Sequence, residues 1–316
     1  MRRLAITALL ATGFTCAQQN QNAADGEVHT LKVRGGIYML VGAGGNITAS
    51  VTNGGVVLVD AGLAQMSGKV LAAIQKITDQ PVRYIINTHV HADHTGGNEK
   101  IAAAGNTLAG GNFAGTIEDA SMGAAIFAHE SVLNRMSASP AAGQAAIPFR
   151  ALPTDTYHSG EMRLSGLFHG EPIRIIHQPA AHTDGDSIVV FTRTDVISTG
   201  DLFTTTAYPF VDLQRGGNIQ GIIDGLNRIL DLALPDFRSE GGTMIIPGHG
   251  RLCDMADVAY YRDMVTIVRD RVKDMVRRDM TVEQVKAAKP TLDYDPRYAN
   301  PDRFIEGVYR SLNRGK

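Results

Sequence analysis

Cysteine is nearly missing: the 316-residue chain has two, Cys16 and Cys253, and the first lies in an N-terminal stretch that reads as a cleavable leader. A mature chain with Cys253 alone offers no internal disulfide, so packing must hold it together. A basic excess is missing as well, since 30 Lys and Arg stand against 32 Asp and Glu for a formal net charge of −2. With no basic run to follow a phosphate backbone, a nucleic-acid role is disfavoured. Beyond residues 4–14 no stretch is apolar enough to cross a bilayer, which disfavours an integral-membrane role. Low-complexity tracts and short-period repeats are also lacking. What is present is 44% hydrophobic residues, enough for a large core without staples.

Residues 1–17 read MRRLAITALLATGFTCA. Two arginines, a short apolar run, and small residues at Thr15 and Ala17 make a signal-peptide pattern, and the polar stretch 18–25 follows at once. The expectation is a periplasmic or secreted protein. Losing the leader removes Arg2 and Arg3 and moves the formal charge from −2 to about −4. The mature chain, 18–316, is expected to form one domain, with a core over about 28–255 and a helical extension over about 256–316.

From Val28, the runs HTLKVRGG, IYMLVGAGG, NITASVTNGG and VVLVDAG predict an antiparallel meander with glycine turns. Met66, Val70, Leu71, Ile74 and Ile77 recur at helical spacing, and VRYIIN over 82–87 is a compact strand. IRIIHQP, SIVVFTR, DVISTGD and TMIIPGHG predict further strands, with an amphipathic helix over about 219–232. Strands and helices mixed around one sheet system imply a layered α/β domain. Val258, Tyr261, Val265, Val268, Val272 and Met275 mark a long helix with one buried stripe, whose charges Arg269, Asp270, Arg271, Lys273 and Asp274 form its solvated face. Thr281 and Gln284 form a capping box for a short helix after it.

The densest chemical signal is His89-Val90-His91-Ala92-Asp93-His94, directly after an apolar strand. Three imidazoles and a carboxylate within six residues make poor core and gain little as surface. They make sense as metal ligands, and the nitrogen and oxygen donors suit zinc. One loop carrying more donors than a tetrahedral ion can use points to two neighbouring metals.

This loop resembles the signature of the metallo-β-lactamase superfamily, His-x-His-x-Asp-His after a strand. Asp60 ending VVLVD, His182 in AHTDGD, Asp201 in GDLF and His249 in PGHG complete the family's motifs in family order. The resemblance implies an α/β (α+β) fold, a four-layer αββα sandwich with a cleft at the sheet edges. It implies two Zn2+ per chain, one on His89, His91 and His182, the other on Asp93, His94 and His249, with Asp201 bridging. Asp60 would hydrogen-bond the metal loop and orient it. A water shared by the two zincs would lose a proton near neutral pH and attack the carbonyl of a small ester, thioester, lactone or lactam. Asp93 would orient that hydroxide or move a proton. True β-lactamases of the superfamily carry cysteine or serine at the place of Asp201, whereas glyoxalase II and lactonase-type enzymes carry the aspartate; Cys253 lies on the wrong side of its motif to substitute. The resemblance therefore favours the aspartate-bearing enzymes over efficient β-lactam hydrolysis. Gly216-Gly217 and Tyr294-Asp295-Pro296 are similar to secreted bacterial members of the superfamily.

Other readings stay open at this point: a β-lactamase proper, a persulfide dioxygenase with one iron on two histidines and an aspartate, or a zinc-binding protein without catalysis. Metal content separates them. Tyr208 is the candidate phenol for donation to a developing oxyanion, with Phe203 and Phe210 as candidate pocket walls. His129 is expected to make a structural hydrogen bond at a helix start, His177 to be satisfied within a strand, and Asn218 to cap a helix. The glycine-rich segment 106–123 is a candidate loop over the site.

Overall fold

The computed structural model describes residues 26–107, 123–140, 145–234 and 240–313. The expected leader and most of the glycine-rich segment 106–123 lie outside the described residues.

The meander appears as β1 (His29–Arg34), β2 (Ile37–Val41), β3 (Ile47–Thr52) and β4 (Gly55–Val59), each antiparallel to the next. The sheet continues in parallel through β5 (Val82–Ile86), β6 (Ala125–His129) and β7 (Asp155–Tyr157). A second sheet contains β8 (Glu161–Leu164), β9 (Ile173–Gln178), β10 (Asp186–Phe191), β11 (Val196–Ser198) and β12 (Met244–Ile246). Its strands are antiparallel except for the parallel pair β11 and β12.

Strand β4 is buried along its whole length, as expected of a strand covered on both faces. Val57 and Val59 join Met39, Ile86, Ile175, Val189 and Phe191 in the core between the sheets. Val56 and Leu58 point the other way, against α1 (Ser67–Gln75) and α3 (Asn98–Ala103), where Val70, Ile74 and Ile101 meet them. Two short helices complete this half, α2 (Ala92–Thr95) and α4 (Glu130–Met136).

After α5 (Gly166–His169), the outer face of the second sheet is covered by α6 (Ile219–Leu232), α7 (Met255–Arg277), α8 (Val282–Ala287) and α9 (Pro301–Leu312). Ile188, Val190, Ile197 and Ile245 of the sheet pack on Leu226, Val265, Val268 and Phe304 of these helices. The layers run helix, sheet, sheet, helix. The side-chain oxygen of Asn218 accepts from the Gln220 amide to start α6, and Thr281 with Gln284 closes the capping box of α8. No helix among the described residues is long and apolar enough to cross a membrane.

The parallel pairs matter for the site, because they deliver chain ends to one rim. Strands β4 and β5 end together, bringing Asp60 beside the 88–94 loop, and β11 and β12 bring Asp201 beside 247–249. Asn46, in the β2–β3 turn, ties the two sheets at this rim: its Nδ2 donates to the carbonyls of Pro247 (2.9 Å) and Gly250 (3.0 Å), and its backbone N–H to Gly248 (2.7 Å).

Candidate metal centre

The apolar run of β5 stops at Ile86, and the next residues are polar and buried. Asn87 and Asn98 exchange amide hydrogen bonds of 3.0 and 2.7 Å, pinning the loop to α3. The single turn of α2 then places Asp93 and His94 one after the other, while His91 stays extended just before it. His182 comes from the β9–β10 loop, Asp201 from the turn after β11, and His249 from the segment after β12.

These seven side chains, four from the first half and three from the second, fall into two groups. His89, His91, His182 and Asp201 bring ligand atoms within 4.8 Å of one another, and so do Asp93, His94 and His249. His91 Nδ1 lies 3.2 Å from His89 Nε2 and 2.9 Å from His182 Nε2. Asp201 faces both groups. Its Oδ1 is 3.2 Å from His94 Nε2 and 3.4 Å from His249 Nε2, and its Oδ2 is 3.7 Å from His182 and 3.9 Å from His89.

The outward nitrogens of four imidazoles settle which inward nitrogens carry a lone pair. His182 Nδ1 donates to the Phe210 carbonyl at 2.7 Å, His91 Nε2 to Asp212 Oδ2 at 2.9 Å, and His94 Nδ1 to Asp60 Oδ2 at 2.7 Å. Thr88 Oγ1 gives its proton to Asp60 Oδ2 at 2.8 Å, so toward His89 Nδ1, 3.0 Å away, it can only accept. These bonds leave Nε2 of His89 and His182 and Nδ1 of His91 bare toward the centre. Against the effect of its burial, His94 is raised well above 6.5 by Asp201 and Asp60, so its Nε2 carries toward Asp201 a proton that a metal ion would displace. Asp60 accepts its bonds from a left-handed backbone, φ 66°, a conformation that costs an L-residue energy and collects at functional sites. Its Oδ1 also accepts the Thr88 amide at 2.8 Å.

Burial lowers the pKa of His89, and it lowers that of His182 to about 4, so both rings are neutral. Burial works against ionisation of Asp201 too, yet the adjacent His94 and His249 hold its carboxyl well below the usual range. Even so, Asp201 Oδ1 is buried without a hydrogen bond; its approaches to the imidazoles are ion-pair contacts, not aligned donors. A carboxylate with one orphaned oxygen, set between the bare nitrogens of the first group and two imidazoles, His94 and His249, whose inward protons a metal would displace, fits a divalent metal ion, and nitrogen and oxygen donors of this kind suit zinc. Two glycines make the room. A Cβ on Gly248 would stand 2.0 Å from Asp201 Oδ1, and one on Gly45 would stand 2.3 Å from His94 Cε1.

Beside the donors opens a cleft of about 750 Å³, lined by His91, Asp93 and Asp201 on one side and by Phe210–Arg215 and one face of α9 on the other. A family model described as the metallo-beta-lactamase superfamily matches residues 41–249, a span that holds all seven donors and Asp60. The chain belongs to the metallo-β-lactamase superfamily.

Among metallo-β-lactamase superfamily relatives, the linear primary-alkylsulfatase of a Pseudomonas species is 23% identical over a 273-residue alignment that covers 77% of this chain and 50% of that protein. The chain therefore spans about half the length of this curated relative. The sec-alkylsulfatase Pisa1 of a Pseudomonas species superposes with a TM-score of 0.65 at 15% identity, over 92% of this chain and 51% of that one. A metallo-beta-lactamase from Pontibacter korlensis superposes with a TM-score of 0.56 at 14% identity, over 76% of this chain and 99% of that one. At such identities the superpositions establish the superfamily's fold.

Tyr208 requires a correction. Its ring is buried, stacked on Phe304 of α9 at 5.1 Å, and its hydroxyl is 2.8 Å from Asp295 Oδ1 and 3.3 Å from the Thr291 carbonyl. The phenol fastens the C-terminal helices and takes no place on the cleft. Burial, with the Asp295 carboxylate behind it, pushes its pKa up and keeps the phenol protonated on that carboxylate. Two residues on, Phe210 is the aromatic that reaches the centre, with its ring 6.0 Å from that of His91 and 5.7 Å from that of His182. Phe203 lies in the core against Tyr261. His129 starts α4 by accepting the Ser131 amide, and His177, in β9, donates to the Asp184 carbonyl and stacks on His129.

Sequence reasoning missed Asp212 and Thr88. Asp212 is buried and accepts from His91, from the amides of Gln214 and Arg215, and from the Arg215 guanidinium. Burial opposes its ionisation, but the His91 and Arg215 hydrogen bonds bring its pKa down to about 2. The Asp-x-x-Arg spacing is the local sign of that pairing.

Proposed function

We propose that this protein is a binuclear zinc-dependent hydrolase of small esters, thioesters or lactones. The observation that carries the reading is the two-faced carboxylate of Asp201, one oxygen toward each donor group, in the position of a bridge. Bound there, zinc supplies Lewis acidity toward an ester carbonyl and acidifies water to near neutrality. The chain's own residues do the rest. Asp60, Thr88 and Asp212 keep the imidazole lone pairs inward, and Asp93, a third exposed at the cleft with Oδ2 3.2 Å from His249 Nε2, is placed to orient water and accept its proton. Phe210, Val211 and Leu213 offer an apolar wall for the body of the substrate.

The one-iron dioxygenase reading shares the same histidine and aspartate motif, so metal content is what separates it from the hydrolase. The aspartate at 201 supports carbonyl esters over β-lactams. The leader pattern supports action in the periplasm or outside the cell.

A second reading, cleavage of sulfate esters, is favoured by how far the alkylsulfatase likeness extends. A 92% match leaves only about 25 residues of this chain unmatched, so part of the helical extension 256–316 has a counterpart in Pisa1. The test is a purification of the chain from Gln18 onward without chelator, metal counting by mass spectrometry, and assays on a thioester, a lactone, an aryl ester, nitrocefin and an alkyl sulfate. Two zincs with chelator-sensitive turnover of a carbonyl substrate is the expected result. Turnover of the alkyl sulfate alone would select the second reading, and one iron with oxygen uptake on a persulfide would reject both.

A further inference from the structure

Four guanidinium or carboxylate groups that line the cleft are already paired. Arg215 is bound to Asp212 at 2.8 Å, and Arg310 to Glu306 at 2.6 Å, with Lys286 on the other oxygen of Glu306 at 2.8 Å. Arg303 is different. It stands on the same face of α9 as Glu306, Gly307 and Arg310, lines the cleft, and has no ion-pair or hydrogen-bond partner among the described residues. It is nonetheless held in place, with its guanidinium carbon 3.7 Å from the centre of the Phe210 ring. That ring in turn lies 6.0 Å from His91, so the guanidinium sits within about 10 Å of the donor cluster with an aromatic ring between them.

We propose that Arg303 is a specificity-determining residue that binds an anionic group of the substrate set apart from the bond that is cleaved, making the preferred substrate an ester that carries a separate negative charge. The inference rests on the reading of this cleft as the substrate site. Stacking fixes the plane of the guanidinium while leaving its N–H edge open, the geometry that pairs with a carboxylate or sulfonate. Because Phe210 separates Arg303 from the imidazoles, the charge it binds is not the reacting group. Paired Arg215 and Arg310 leave it the one uncommitted cation described on the cleft wall. It also lies beyond the 41–249 span that the superfamily model matches, so this recognition belongs to the C-terminal helices.

The test uses the zinc-loaded chain and calorimetric titration with hexanoate, hexanesulfonate and the neutral isostere hexanamide, on wild type, Arg303→Ala and Arg303→Lys. Expected is a loss of tenfold or more in anion affinity for Arg303→Ala, partial recovery in Arg303→Lys, and no change for hexanamide. An effect confined to hexanoate or to hexanesulfonate names the anion. Unchanged anion affinity in Arg303→Ala, or an equal loss for hexanamide, overturns the proposal. Parallel assays with 4-nitrophenyl acetate and mono-4-nitrophenyl glutarate separate the two readings. Arg303-dependent anion binding with neither ester turned over rejects the hydrolase alone. Turnover of both esters at a ratio untouched by Arg303→Ala rejects the anion subsite alone.

Discussion

Replacing Asp212 by asparagine changes one oxygen to nitrogen and should remove His91 as a ligand. Asp212 Oδ1 accepts two backbone amides, those of Gln214 and Arg215, both at 3.1 Å. In the Asp212→Asn protein the side-chain carbonyl oxygen would have to stay on those donors, which turns the new NH2 toward His91 Nε2. His91 Nε2 must then accept, so its proton moves to Nδ1, the nitrogen that faces His89 and His182. A protonated Nδ1 cannot bind a metal. Loss of an outer hydrogen-bond partner costs about 10–100-fold in metal affinity, or roughly 1.4–2.8 kcal/mol, and the wrong tautomer places Asp212→Asn at the upper end. Competition of zinc against a chromogenic chelator measures this directly. The expected titration keeps one site near wild-type affinity and weakens the other. If Asp212→Asn holds both ions as tightly as wild type, the tautomer argument is wrong.

Three further outcomes are expected. Gly248→Ala drives a methyl to 2.0 Å from Asp201 Oδ1 and 2.7 Å from the Gly200 backbone, so the carboxylate must leave, and mass spectrometry should find at least one ion per chain lost. Tyr208→Phe should keep kcat within about twofold and cost about 1 kcal/mol of stability for the hydrogen bond to Asp295; a collapse of kcat with unfolding unchanged would restore the catalytic role. Burial between Ser50 and Thr52 lowers His169 from 6.5 to about 4. Between those values the unfolded chain binds the proton and the folded chain does not, so stability falls as pH drops from 6.5 to 4, by up to about 3 kcal/mol. Urea unfolding of wild type and His169→Gln across that range should give a flatter profile for the variant.

The sequence carried the site where its donors are neighbours in the chain. His89, His91, Asp93 and His94 are local, and strand-then-loop placement was enough to read them as ligands. His182, Asp201 and His249 are scattered over 68 residues, and only their superfamily motifs joined them to the first four. The layered fold was legible for the same reason as β4 and α7, whose periodicities match the faces they bury. The Asp-x-x-Arg spacing marks only the turn at Leu213 that Asp212 caps; its contact with His91 spans 121 positions and exists only after folding. Tyr208 misled because nearness to Asp201 in sequence stood for nearness in space. The chain bends between them, and α9 claims the tyrosine while Phe210 turns to the imidazoles.

The division of the donors between the two sheets has a mechanical side. Four hang from the rim of the first sheet and three from the second, so an ion held by both His89 and His182 ties one leaf of the sandwich to the other. A ligand that binds only the closed arrangement adds its binding free energy to folding, about 2.7 kcal/mol at a hundred times its dissociation constant. Occupancy and thermal stability are then two readings of one quantity, and the rim that gathers the donors is also the clasp of the fold.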